Sequence, residues 1–322
     1  MSPLQPFRPR RLALLPVLAG AVLLLGVAVG QRLPRQAGPP PASAAPLPTS
    51  ALQSSLHRPA GPAGTGRDQP AGNAIAGLPL DMAAGLEGRG NLYDYARQLQ
   101  YAAAAGDAQA GWTLSRIHDY CGQYLQDPQG YALDDQLLAT AGGSPLQALV
   151  AARSRLGQRC HGFAPADQPG HAGIVLQRRR AAQAGHLAAE AGLLAMGQPL
   201  HEDDDYRREL VERVIQSQDP EAFLALSPAM GAVAAGDAAL HGAVAGTQFT
   251  QLAWQVAACR LGMACGPDSV LMSSYCANAG ICSRKPDQDF ESFVFDAAVP
   301  PQGVEKMNQL INQLRRPGGV RS

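Results

Sequence analysis

A chain of 322 residues is long enough to bury a substantial core, as one large domain or two ordinary ones. Its 26 basic and 26 acidic residues cancel, which excludes a global field for nucleic acid or an acidic polymer. Aromatic residues reach only 5% and β-branched residues are scarce, so a β-sandwich or barrel is not expected. All basic residues except Lys285 and Lys306 are arginine, a bias that fits a GC-rich bacterial genome.

Residues 1–80 carry seven arginines against Asp68 alone, a balance of +6, and the remainder is correspondingly −6. A mildly acidic body behind a basic end is poorly arranged to grip phosphate backbones, so no nucleic-acid partner is expected. Leu12 to Gly30 is a run of nineteen residues without a charge. As a helix it would span roughly 29 Å, close to the ~30 Å hydrocarbon thickness of a bilayer. Arg8, Arg10 and Arg11 precede it, and with the amino terminus they outweigh Arg32 and Arg35 beyond it. The positive-inside rule then leaves the N-terminus in the cytoplasm and exports the body, into the periplasm of a Gram-negative cell. A cleaved signal peptide is the alternative, since Ala28-Val29-Gly30 is an acceptable cleavage site. The apolar run exceeds the ~7–15 residues usual in such a peptide, which favours an uncleaved anchor in the inner membrane.

Pro34 to Pro79 holds ten prolines and six glycines with almost no apolar periodicity, which predicts a disordered stalk. Beyond it, glycine and proline fall between amphipathic stretches. Leu92, Tyr95, Ala96, Leu99 and Ala103 follow helical spacing, and Gly106 closes that helix. Asp107 caps the next, with a stripe of Ala110, Leu114, Ile117 and Cys121. Ser144-Pro145, Asp219-Pro220 and Ser227-Pro228 are further helix starts, and Asp237 opens another. A helix over Thr250 to Leu261 presents Trp254, Ala257, Ala258 and Leu261. The expected organisation is a basic N-terminus (1–11), a transmembrane anchor (12–30), a linker (31–85), an all-α disulfide-stabilised domain (86–300) and a C-terminal helix and tail (301–322).

The punctuation recurs. A small-residue pair ending in glycine precedes a new helix at Gly106, Gly143, Gly185 and Gly236. Tyr95 to Cys121 resembles a Sel1-like repeat, a relative of the tetratricopeptide repeats, whose first helix ends in Ala-Ala-x-x-Gly before Asp/His-x-x-Ala opens the second. Gln183 to Ala191 is similar to a second copy. Neither second helix is followed by the family's Tyr-x-x-Gly-x-Gly-Val turn. The resemblance implies an irregular, α-solenoid-like stack of helical hairpins serving protein–protein contact. An irregular bundle with alanine-rich packing is the alternative.

Six cysteines all lie in the body, where an oxidising compartment favours disulfides. No Cys-x-x-Cys occurs, so neither a zinc site nor a thioredoxin-type centre is expected. Folding a helical hairpin about Gly266-Pro267-Asp268 would bring Cys259 level with Cys276 and pair Cys265 with Cys282. Cys121 and Cys160 then pair by elimination. Without that hairpin, Cys259–Cys265 and Cys276–Cys282 are the alternative.

No catalytic or cofactor-binding constellation stands out. His118, Asp119 and His161 flank Cys121 and Cys160, so folding could gather them. His201 to Asp205 looks like a metal-ligand run but precedes a helix, where acidic residues complement the macrodipole. Arg178 to Arg180 reads as a solvated helix face, and Trp112 and Trp254 as core. Phe290 to Val299 is the densest aromatic patch and should dock on the cysteine hairpin, with a lining role in a partner groove as the alternative. These features predict a non-catalytic, membrane-tethered envelope protein whose body binds a protein partner and needs no cofactor or metal. A helical peptidoglycan hydrolase is the alternative; it would need a carboxylate in a cleft, for which Glu190, Glu209 and Glu212 are the candidates.

Overall fold

The first helix, α1 (Met82–Glu87), starts where the linker was expected to continue to residue 85. Its position is fixed by Tyr95, whose hydroxyl donates to the Met82 carbonyl at 3.1 Å, while Leu86 is fully buried. Gly85 lies so close to the Tyr95 ring that a Cβ would meet it at 2.4 Å, so a larger residue would have to push that ring aside. The computed structural model describes residues 82–316; the expected anchor at 12–30, the linker up to residue 81 and the tail beyond 316 lie outside them. Among the described residues there is no strand, and no helix long and apolar enough to cross a membrane.

Two helical hairpins turn on a left-handed glycine. In the first, α2 (Leu92–Ala104) and α3 (Ala108–Tyr120) meet at Gly106, which takes a left-handed φ of 95°. Asp107 N–H donates back to the Ala102 carbonyl, and the Asp107 carboxylate accepts from Ala110 N–H. In the second, α7 (Gly170–Gln183) and α8 (Leu187–Ala195) repeat this closure at Gly185, with His186 N–H bonded to the Ala181 carbonyl. His186 takes the capping role, its Nδ1 accepting from Ala189 N–H at 3.3 Å. Both turns thus have one geometry with different capping side chains.

Between these hairpins run α4 (Gly122–Gln126), α5 (Pro128–Ala141) and α6 (Ser144–Cys160), of which α5 and α6 pack together. After α8 come α9 (Asp204–Ser217), α10 (Pro220–Leu226), a series of 3₁₀ turns, and α11 (Gln248–Arg260). The expected helix at Asp237 is one such turn, Ala238–Leu240. A short α12 (Val270–Ser273) runs into a π turn over Ser274–Asn278, and α13 (Phe290–Ala298) and α14 (Val304–Leu314) complete the body. Successive neighbours are α2, α3, α7, α8, α10, α11 and α14, while α6 rests on the π turn.

Helix α3 separates two hydrophobic cores. Its Ala110, Leu114, Ile117 and Tyr120 join Leu86, Leu92, Leu156 and Val270 on one side. Its Trp112 joins the larger core of Phe223, Trp254, Phe290 and Ile311 on the other. The larger core is rich in alanine, including Ala188, Ala191, Ala222, Ala253 and Ala257. A buried methyl contributes ~0.8 kcal/mol against ~1.5–3 kcal/mol for a leucine or phenylalanine, so this core gains stability from close helix approach rather than bulk.

Three disulfides hold the body: Cys121–Cys160, Cys259–Cys265 and Cys276–Cys282. The first is the expected pair. The other two replace the expected Cys259–Cys276 and Cys265–Cys282, because the hairpin about Gly266 does not form. Instead α11 packs between α10 and α14, while α12 leans on α6. Chain reversals supply the nearer partners. Met263 N–H returns to the Ala258 carbonyl after α11, and Ile281 N–H to the Tyr275 carbonyl after the π turn. With no cysteine hairpin to dock on, the aromatic patch packs beside the Cys259–Cys265 loop and the π turn, Phe290 N–H donating to the Cys265 carbonyl at 2.8 Å and its ring lying 5.1 Å from Tyr275.

Candidate functional site

The carboxylates suggested by sequence do not form a cleft. Glu209 and Glu212 are exposed on α9. Glu190 is buried on α8, but both its oxygens are occupied: Oε1 accepts from the Tyr206 hydroxyl at 2.7 Å and Arg213 Nη2 at 2.6 Å, Oε2 from Arg213 Nη1 at 3.0 Å. Burial, reinforced by the Glu190 bond, raises the Tyr206 phenol well above its usual range. This cluster ties α8 to α9.

The histidine readings resolve in the same way. His118 is buried beside Phe163, with Nδ1 3.1 Å from Gln177 Oε1, and burial lowers its pKa so that it stays neutral. Asp119 pairs instead with Arg178, and the exposed His161 is joined to the body through its carbonyl, which accepts from Asn91 Nδ2 at 2.7 Å. In the His201–Asp205 run, Asp203 caps α9 while Asp204 and Asp205 pair with Arg207 and Arg208. Among the described residues no group of three or more His, Cys, Asp or Glu is placed to hold a metal. Arg178 corrects its expected place on a solvated face. It is buried, lies over Trp112 with its guanidinium carbon 5.3 Å from the ring centre, and donates to Ser115 Oγ at 3.2 Å.

The concave surface lies elsewhere, around the C-terminal half of α3. A first hollow of about 430 Å³ is walled by Trp112, Met196, Leu224, Pro228 and Leu271 together with two ion pairs, Arg116–Glu221 and Arg178–Asp119. Glu221 is held firmly. Its Oε1 accepts from Arg116 at 2.7 Å, and its Oε2 from Trp112 Nε1 at 2.9 Å and Gln109 Nε2 at 3.4 Å. Gln109 Oε1 in turn lies 2.7 Å from His186 Nε2. Because His186 Nδ1 accepts a backbone N–H, its proton sits on Nε2 and is donated to Gln109. Burial lowers the pKa of His186, which keeps this neutral arrangement.

A second hollow, about 560 Å³, shares Tyr120 with the first and is lined by charged groups: Glu87, Arg89, Arg155, Arg159 and Asp268. Glu87 Oε2 accepts from Val270 N–H at 2.9 Å, and Oε1 lies 3.9 Å from Arg116. Desolvation raises the Glu87 pKa above the ordinary 4.5, against the opposing pull of that backbone bond and of Arg116 and Arg159. Arg116 thus stands between two carboxylates, one per hollow. Sequence reasoning missed Glu87 and Glu221 because their partners are far along the chain. Glu221 reads as one more acidic residue in a helix first turn, and Glu87 as part of a glycine-rich lead-in.

Comparison of the chain with family models, curated proteins and solved structures finds no match. The geometry of the two hollows is therefore what bears on function.

Proposed function

We propose that the protein is a non-catalytic, membrane-tethered envelope component whose helical body binds a polypeptide partner. The observation that carries this reading is the pair of adjoining hollows that share Tyr120, one in which apolar walls enclose two closed ion pairs and one in which arginines keep donors to offer. An extended polypeptide presents apolar side chains and charged groups a few ångströms apart, and this surface offers a place for each. The carboxylate in the apolar hollow, Glu221, is neutralised by Arg116 and engaged by Trp112, which suits a fixed wall better than a proton donor. The resemblance to Sel1-like repeats, whose helical hairpins serve protein contact, points the same way. Residues 12–30 would tether the body to the inner membrane, with residues 31–81 as the stalk.

A photo-cross-linking residue at Met196, inside the apolar hollow, should capture one discrete protein in intact cells, and Leu224→Glu should abolish the adduct. The same cross-linker at exposed Glu212 on α9 should not capture it. Equal capture at both positions would contradict the reading.

Glu87 favours a second reading, that of an envelope hydrolase. Its raised pKa and lining position are what a general acid requires. Release of soluble muropeptides by the purified protein, lost in Glu87→Gln, would establish it in place of the first.

A further inference from the structure

Five buried side-chain polar atoms find no hydrogen-bond partner among the described residues, and three of them belong to side chains of the charged hollow: Glu87 Oε1, Tyr120 Oη and Arg159 Nε. Such atoms each cost stability; they are closed to the hollow itself, and Glu87 Oε1 has Arg116 at 3.9 Å, so they mark a polar floor above which a polar ligand, rather than an apolar one, would sit. The cationic groups fix its sign. Arg155 has Asp268 at 3.5 Å, but exposed Arg89 makes no ion pair among the described residues, and Arg159 is engaged through Nη2 with the Leu86 carbonyl while stacking on Tyr120 at 5.2 Å. Two arginines are thus left with donors to offer.

We propose that this hollow is a carboxylate-binding subsite, in which Arg89 and Arg159 receive a carboxylate of the bound polypeptide. The inference rests on the polypeptide reading above and names the chemistry of one of its two places. The acidic groups select the kind of anion. Glu87 and Asp268 share the hollow, so a phosphate dianion would meet two carboxyl groups at close range. A carboxylate carries one charge and meets less repulsion from Glu87 once that side chain is protonated.

Proton uptake is therefore linked to binding. Glu87 faces Arg116 of α3, Arg155 and Arg159 of α6, Glu221 of α10, Asp268 and the Val270 N–H before and in α12, and Arg89 just past its own helix. Its pKa is already raised, and an incoming anion raises it further. Affinity should be highest at acid pH and fall as pH rises through the Glu87 pKa.

The test is calorimetric titration of the purified full chain with four probes: N-acetyl-dialanine with a free carboxylate, its amide, N-acetyl-glutamate amide, and inorganic phosphate. A carboxylate should bind at least tenfold more tightly than the neutral amide and than phosphate. Preference for the first or third probe assigns the source as a chain terminus or an acidic side chain. Arg89→Gln, at an exposed position, should weaken carboxylate binding about tenfold without altering the fold. Glu87→Gln should keep binding and flatten its pH dependence, which loss of a merely structural carboxylate would not do. Equal binding of acid and amide, or preference for phosphate, overturns the subsite even if the Met196 cross-link still captures a partner. Carboxylate binding without any captured partner overturns the polypeptide reading and leaves the subsite standing.

Discussion

Replacing Cys121 and Cys160 together by alanine should destabilise the body about twice as much as removing either of the other two bridges. The Cys121–Cys160 bridge closes a 39-residue interval, whereas Cys259–Cys265 and Cys276–Cys282 each close six. Chain-entropy arguments assign ~4 kcal/mol to the long closure and ~2 kcal/mol to each short one. Both residues of the long bridge are fully buried among Leu156, Ile117 and Leu125, so their loss also leaves a gap in the smaller core. At ~2–4 °C per kcal/mol for a body of this size, the melting temperature should fall by ~8–16 °C for the long bridge and ~4–8 °C for a short one. Circular dichroism melts of the three paired variants, with native alkylation to confirm the remaining bridges, give the comparison. Equal shifts for all three variants would refute the argument that loop length sets their value.

Other consequences follow from the buried polar groups. Burial lowers His118 and His186 below the usual 6.5, so the unfolded chain takes up their protons first. Stability present above that pH should fall as pH drops below it, and His186→Asn, which can still cap α8, should flatten part of the decline in a pH series of melts. Glu221→Ala leaves Arg116 only the longer 3.9 Å contact to Glu87 and should cost about 3 kcal/mol, near the low end for breaking a buried pair because the side chains keep 11% and 13% exposure. Glu221→Gln should cost less, since it can still accept from Trp112; a loss equal to that of alanine in denaturant titrations would show that the charge itself, not the hydrogen bond, holds α10. Gly192→Ala would place a Cβ 3.2 Å from the Trp112 ring, whose indole is held by Glu221. It should shift tryptophan fluorescence and weaken partner capture at Met196; an unchanged spectrum and capture would show that Trp112 does not wall the hollow. A periplasm-dependent reporter fused after Ser322 should be active, and the mature chain should retain residues 12–30; a chain beginning at Gln31 would show cleavage instead.

Much of the helical architecture was legible because its signals are local. Asp107 and Asp219 cap helices through their own carboxylates, and Gly106 and Gly185 reverse the chain where their left-handed φ is needed. Tertiary proximity was not. The short disulfides depend on whether α11 and α12 pack together, and α11 is drawn away by α10 and α14. Arg178 was expected in solvent because nothing near it in sequence is acidic; its partner Asp119 lies 59 residues earlier. The candidate site is the extreme case, joining Arg116 to Glu221 across 105 residues and Glu87 to Val270 across 183. No periodicity or spacing encodes such pairs.

Cross-linking from Met196 in intact cells decides whether the hollow beside Tyr120 holds a polypeptide. A single protein adduct is expected, one that disappears in Leu224→Glu and is absent when the cross-linker sits at Glu212. No protein adduct from Met196, together with muropeptide release that depends on Glu87, would contradict it.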